Sequence, residues 1–224
     1  LCPGPITFIL KKNKNSKILG VLTTSLSSKL FLNFDKINNY KLFYIGSNWD
    51  YNVKPNIYKK NFKLDLLKEL DKNNLINIYG SSRNIYQQHI YKNFNNFKGD
   101  IKFDLMSVIY KIKEAGICLC ISTPQHIDSQ VCSMRIFEGI VAGVPIIADK
   151  NPFYLKYFKD NIWYFENNNV YSALSQIVNH IKFIKNNEEI VKKKIINTRN
   201  IFKNYFCTDM QLSYIVNKLE NKLN

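Results

Sequence analysis

Between residues 41 and 165 the chain alternates two hydrophobic patterns. Short apolar runs end on glycine or small polar residues, and the stretches between them carry apolar residues at helical spacing. Residues 41–46 (KLFYIG) are such a run entering a turn, which predicts a strand. Phe62, Leu66, Leu67 and Leu70 share one face of a helix expected over 58–70. The next strand is expected over 75–79 and closes on Gly80, Ser81, Ser82 and Arg83. Residues 84–91 read as helix, 100–103 as a brief strand, and 107–115 as a helix capped by Gly116. The run 117–122 is apolar throughout, the pattern of a strand covered on both faces. A loop over 123–132 leads to a helix over 133–142, a strand over 145–148, a short helix after Asn151 and Pro152, and a last strand over 162–165. From Val170 the pattern is helical to the end, with breaks near Asn186–Asn187 and over 205–208. Ahead of all this, 17–24 is read as a strand and 25–34 as a short helix, both weakly patterned.

Strands alternating with helices imply an α/β fold: a parallel sheet with right-handed crossovers and helices on both faces, followed here by C-terminal helices. At 224 residues the chain has room for one large domain or two small ones, and 46% hydrophobic residues suffice for a real core. No apolar run approaches the roughly 18 residues of a membrane span. The first ten residues lack the features of a secretory leader, and the absence of an initiating Met points to an internal segment of something longer. Five cysteines without zinc-type spacing point to a reducing, cytoplasmic compartment. Cys118 and Cys120 read as buried structural thiols, and Cys132 has no histidine beside it to make it a nucleophile.

A formal charge of +15 raises a nucleic-acid-binding module as one reading. Of the 32 basic residues, however, only Arg83, Arg135 and Arg199 are arginines, and the rest are lysines spread over helix faces. That distribution reads as a solvated surface without a basic-aromatic platform, so nucleic acid is set aside. The basic stretch 185–194 leaves peripheral contact with an anionic membrane surface as a further expectation. Where lysine is the default cation, arginine in a small-residue turn stands out for its planar fork.

In an open parallel sheet ligands bind beyond the carboxyl ends of the strands, where the strand order reverses. Three polar loops fall at such ends: Gly46–Asn48, Gly80–Arg83 and His126–Arg135. Ser133 can cap the helix that follows it and leave the N–H groups of Met134 and Arg135 facing an anion. Glu138, three residues past Arg135, has two readings: an i,i+3 ion pair with that arginine, or an acceptor for two vicinal ribose hydroxyls.

The string Ser133-x-Arg135-x-Phe137-Glu138-Gly139-x-x-Ala142-Gly143-x-Pro145-x-Ile147 resembles the signature of the C-terminal, donor-binding domain of GT-B glycosyltransferases. The likeness is to the group 1 (GT4-like) transferases and their spore-maturation-protein-like relatives, over roughly residues 41–166. It implies a Rossmann-like parallel sheet over 41–185, C-terminal helices over 186–224 packing on it, and 1–40 as a linker or remnant of an acceptor domain. It also implies a nucleotide-sugar donor, UDP- or GDP-linked, a glycan, lipid or protein acceptor, retaining transfer, and no metal cofactor, the Asp-x-Asp pair being absent. Glu138 would bind the donor ribose, and Ser133, Met134 and Arg135 the diphosphate. Gly46 and Ser47 would face the cleft, Gly80 and Arg83 would lie near a phosphate, and Phe103 and Asp104 would lie where the base is clasped. Where many retaining relatives carry a glutamate seven residues before the ribose-binding one, this chain has Gln130. Asp128 and His126 are the nearby groups able to stand in for it at the transferred sugar. A non-catalytic nucleotide-binding remnant is therefore the alternative. Alanine at 138 is expected to cut donor affinity at little cost in stability.

Overall fold

The structure is a computed structural model that describes residues 23–34, 36–46, 62–80, 91, 93–102 and 104–223. A five-stranded sheet forms its centre: β1 (Lys41–Ile45), β2 (Ile76–Tyr79), β3 (Gly116–Cys120), β4 (Ile146–Asp149) and β5 (Trp163–Phe165). The strand order is β2-β1-β3-β4-β5 and every pairing is parallel. The chain steps from β1 outward to β2 and then returns to the other side of β1 as β3, so the order reverses between β1 and β3. This is the expected α/β architecture.

Helices cover both faces. α1 (Phe62–Lys72), α2 (Leu105–Ala115), α4 (Met134–Ala142), α5 (Pro152–Tyr157), α6 (Val170–Asn186), α7 (Glu188–Tyr205) and α8 (Thr208–Leu223) lie where helical spacing placed helices. The strands' twofold alternation sorts the core into two clusters. Leu42, Ile76, Ile117 and Ile147 pack on α1 and α6. Phe43, Cys118, Ile146 and Ala148 pack on α2, α4 and the far half of α7, where Phe202 is buried. β3 and β4 are buried at every position, as their unbroken apolar runs require.

Three expectations change. The loop 123–132 contains a further short helix, α3 (Pro124–Asp128), capped by the Thr123 hydroxyl and started by proline. Residues 100–102 form no strand. The pairing with β2 lies upstream instead: Phe97 bridges Ile78, and Gly99 O accepts the Gly80 N–H at 3.2 Å. Within 25–34 only a single 3-10 turn forms, Ser28–Leu30, because this segment is held by distant partners. The Leu32 N–H donates to Val141 O at 3.0 Å, and Leu26 joins the core. Most of the strand read over 17–24, nearly all of the helix read over 84–91, and residues 58–61 lie outside the described residues.

Arg199 locks these parts together. Its guanidinium donates to Ile140 O, Leu32 O and Val141 O at 3.2, 2.6 and 3.2 Å and lies 4.8 Å from the centre of the Phe31 ring. Two of those carbonyls belong to the last turn of α4, where they also accept the Gly143 and Leu32 N–H groups and where a cation meets the helix dipole favourably. Gly143 caps that end at φ 72°, and a Cβ there would lie 2.3 Å from the arginine.

Candidate functional site

α4 is buried almost from end to end, and its apolar residues explain why. Ile136, Phe137, Ile140, Val141 and Ala142 are all core. Gly139 lets the helix lie directly on β3, since a Cβ there would come within 2.8 Å of the Cys118 Cβ. Only the first turn reaches the rim formed by the carboxyl ends of the strands. Ser133 caps it as expected, its hydroxyl accepting the Arg135 N–H at 3.3 Å. The Ser133 N–H is turned inward to the Tyr154 hydroxyl at 3.1 Å. That leaves the Met134 N–H as the amide of this turn with no partner among the described residues, a narrower opening than the two amides expected.

Arg135 and Glu138 form an ion pair through Glu138 Oε2, with side chains 18% and 11% exposed. Arg135 also lies 5.5 Å from the centre of the Phe43 ring on β1, and its carbonyl accepts from the Cys118 thiol on β3 at 3.5 Å. The pair therefore spans the point where the strand order reverses. Burial pushes the Glu138 carboxyl above its ordinary range, and Arg135 pulls it partly back. The other oxygen, Oε1, has no partner among the described residues. The two readings of Glu138 thus meet in one geometry: one oxygen is held by arginine and the other is available.

The other expected residues sort as follows. Gly46 and Gly80 are brought together at the ends of β1 and β2. A Cβ on Gly80, at φ 139°, would lie 2.8 Å from Gly46 O, and the Tyr91 hydroxyl donates to that same carbonyl at 2.6 Å. Glycine at 80 thus serves the packing of the two turns on each other. Ser47, Arg83 and Phe103 lie outside the described residues. Asp104 caps α2, accepting from the Ser107 N–H at 2.6 Å and its hydroxyl at 2.9 Å, which holds its carboxyl below the usual range. His126 and Asp128 ride on α3, not on a loop, and the buried His126 Nδ1 has no hydrogen-bond partner among the described residues. Gln130 follows in the left-handed region at φ 52° and is exposed. Cys118 and Cys120 are buried, and burial pushes the Cys120 thiol well up, so it stays protonated and inert.

A network absent from the expectations lies directly beneath this rim. Asp149, fully buried at the end of β4, accepts the Ser122 N–H at 2.7 Å and the Ser122 hydroxyl at 2.9 Å. Asn151, equally buried, donates to Ser122 Oγ at 3.1 Å and to Val131 O at 3.0 Å. Its sequence signal was the Asn-Pro helix start; the reach to Val131 was not visible. Along the β2 edge a cavity of about 580 Å³ runs beside α2, lined by Tyr79, Ile101, Lys102, Ser107 and Tyr110 among others. Among the described residues no three or more His, Cys, Asp or Glu side chains are placed to hold a metal ion, and no helix is long and apolar enough to cross a membrane.

A wholly parallel sheet with helices on both faces and a strand-order reversal between β1 and β3 defines the Rossmann-like class of domain. More narrowly, the chain folds as the C-terminal half of a GT-B glycosyltransferase. A glycosyltransferase from Rickettsia africae matches it with a TM-score of 0.61 at 16% identity, over 98% of this chain and 60% of that one. Sucrose-phosphate synthase from Thermosynechococcus elongatus matches with a TM-score of 0.60 at 12% identity, over 99% of this chain and 57% of that one. The chain thus spans at most 60% of the length of these neighbours, and the likeness is one of fold. No family model matches the sequence, and no curated protein matches it as a relative.

Proposed function

We propose that this chain is the donor-binding part of a glycosyltransferase that takes a UDP- or GDP-linked sugar and passes it to a glycan, lipid or protein acceptor. One observation carries the reading: a nearly buried carboxylate, Glu138, is oriented by Arg135 at the strand-order reversal with one oxygen left over. A ribose lying against the first turn of α4 would place its vicinal hydroxyls on Oε1. The diphosphate would then meet the Met134 N–H, the positive end of the helix and the Arg135 guanidinium, which together stabilise the leaving nucleoside diphosphate. The base would lie toward the Ile101–Lys102 end of the cavity beside α2. Gln130, with His126 and Asp128 on α3, would face the transferred sugar. Support for the transferase reading comes from the first fold neighbour, which is by name a glycosyltransferase.

Gln130 favours a second reading, a nucleotide-binding part without turnover, because an amide offers no charge to an oxocarbenium-like state. Turnover with a donor panel separates the two.

The test of the site is Glu138→Gln, assayed by calorimetry with UDP, GDP, UDP-glucose and GDP-mannose. Alanine is the poorer choice: Glu138 is buried against Arg135, and removing it strands a cation, so the loss in stability is not small. Glutamine keeps the volume and one bond to Arg135 but loses the charge-assisted grip on the ribose. The expected loss of affinity is about tenfold to a hundredfold, from about 1.5–3 kcal/mol for hydrogen bonds to a charged group. Unchanged affinity for every nucleotide that the wild type binds removes Glu138 from the site.

A further inference from the structure

The segment 131–133, which delivers the chain to α4, belongs to no sheet or helix. Its inner side is held by two side chains from one turn after β4. The amide of Asn151 donates to Val131 O at 3.0 Å, and the hydroxyl of Tyr154 accepts the Ser133 N–H at 3.1 Å. Both residues are fully buried. Each is itself fixed: Asn151 Oδ1 caps α5 by accepting the Phe153 N–H at 2.8 Å, and the Tyr154 carbonyl accepts the Tyr164 hydroxyl of β5 at 2.9 Å. The support thus runs from β5 and α5 through two side chains to the backbone just ahead of α4.

We propose that Tyr154 and Asn151 are positioning residues for the diphosphate of the donor. By taking the Ser133 N–H inward, Tyr154 decides which amide of the turn faces the anion, and by holding Val131 O, Asn151 sets where that amide stands. The inference rests on the donor-binding reading above, and it assigns these two residues to the phosphates and not to the nucleoside. Phenylalanine would fill the space of Tyr154 equally well, so the hydroxyl is the part that packing leaves unexplained. Without it the Ser133 N–H loses its partner, and the turn is free to rotate that amide outward and carry the Met134 amide off its line. Anion recognition by a single open amide tolerates displacements of only about 0.5 Å.

The experiment compares uridine, UMP and UDP, and the guanine series, binding to wild type, Tyr154→Phe, Asn151→Ser and Glu138→Gln by calorimetry. The quantity read is the gain in affinity from nucleoside to nucleoside diphosphate. Tyr154→Phe is expected to lower that gain at least fivefold while nucleoside affinity stays within twofold of wild type. Asn151→Ser, which keeps the cap on α5 but cannot reach Val131, is expected to do the same, and Glu138→Gln the reverse. Far-UV circular dichroism checks the fold of each variant; should Tyr154→Phe unfold, Asn151→Ser carries the comparison. A gain that both variants retain overturns the inference and leaves the donor reading standing. A parallel loss of nucleoside and diphosphate affinity also overturns it, since a purely structural role predicts that result. A wild type that binds no nucleotide removes the donor reading and this inference with it.

Discussion

Asp149 is a buried carboxylate with two hydrogen bonds and no ion pair among the described residues, and its titration makes a sharp test of the network under the site. Burial pushes its pKa from the ordinary 3.8 up to about 6, against the pull of the Ser122 hydrogen bonds. Well below pH 4 the carboxyl is protonated in both folded and unfolded chains, and its ionisation costs the fold nothing. As pH rises from 4 to 6 the unfolded chain gives up its proton while the folded one keeps it, so stability falls. At 1.36 kcal/mol per pH unit the loss is about 3 kcal/mol, complete above pH 6. Asparagine at 149 has the same shape and no charge to desolvate. Its oxygen still accepts the Ser122 N–H, while the Ser122 hydroxyl loses its acceptor at a cost of about 1 kcal/mol. Asp149→Asn is therefore expected to be about 2 kcal/mol more stable than wild type at pH 7 and about 0.5 kcal/mol less stable at pH 4. Urea unfolding followed by circular dichroism, at fixed ionic strength between pH 4 and 8, measures the difference. The other carboxylates titrate alike in both proteins and cancel. Two stability curves that run parallel across this range would refute the reasoning.

Two further outcomes are expected. Arg199→Met should lower stability by about 1–3 kcal/mol, because it leaves Leu32 O without its donor while Ile140 O and Val141 O keep only the Gly143 and Leu32 N–H groups; the urea midpoint reports it. The double variant Arg135→Met, Glu138→Leu should be as stable as wild type or up to about 4 kcal/mol more stable, since a nearly buried ion pair gives way to apolar groups of similar size, while nucleotide binding measured by calorimetry is lost.

What the sequence shows and hides follows the range of the forces involved. β1, β3, β4 and α4 were legible because each is a local pattern: an unbroken apolar run, or an apolar stripe with a serine before it and a glycine behind it. The Arg135–Glu138 pair was legible from its i,i+3 spacing. α3 carried its own signal in Thr123–Pro124 but was absorbed into a loop because it has a single turn. The failures came where a distant partner outweighed local preference. The alternation at Ile101 and Phe103 looks like a strand, yet β2 takes its edge partners upstream, at residues 96–99. The 25–34 segment looks helical, yet Val141 and Arg199 take its backbone groups. Tyr154 and Asn151 reach back 21 and 20 residues to the site, a span that no local pattern encodes.

The motif around α4 mixes two demands, and separating them is the strongest physical argument for a site. Packing accounts for Ile136, Phe137, Ile140 and Val141, for Gly139 against Cys118, and for Gly143 beneath Arg199. It does not account for Glu138. The position is 8% exposed, flanked by core residues on the same helix, and its carboxyl is pushed up by the burial it suffers. Apolar residues at both 135 and 138 would serve the fold as well or better, because the pairing of Glu138 with Arg135 at best offsets the desolvation that both groups incur. A cost accepted at the strand-order reversal, with one carboxylate oxygen left over, is what a polyol-binding site requires and what a structural helix does not. Asp149 differs from this carboxylate in that Ser122 takes both of its oxygens, which leaves neither to a ligand.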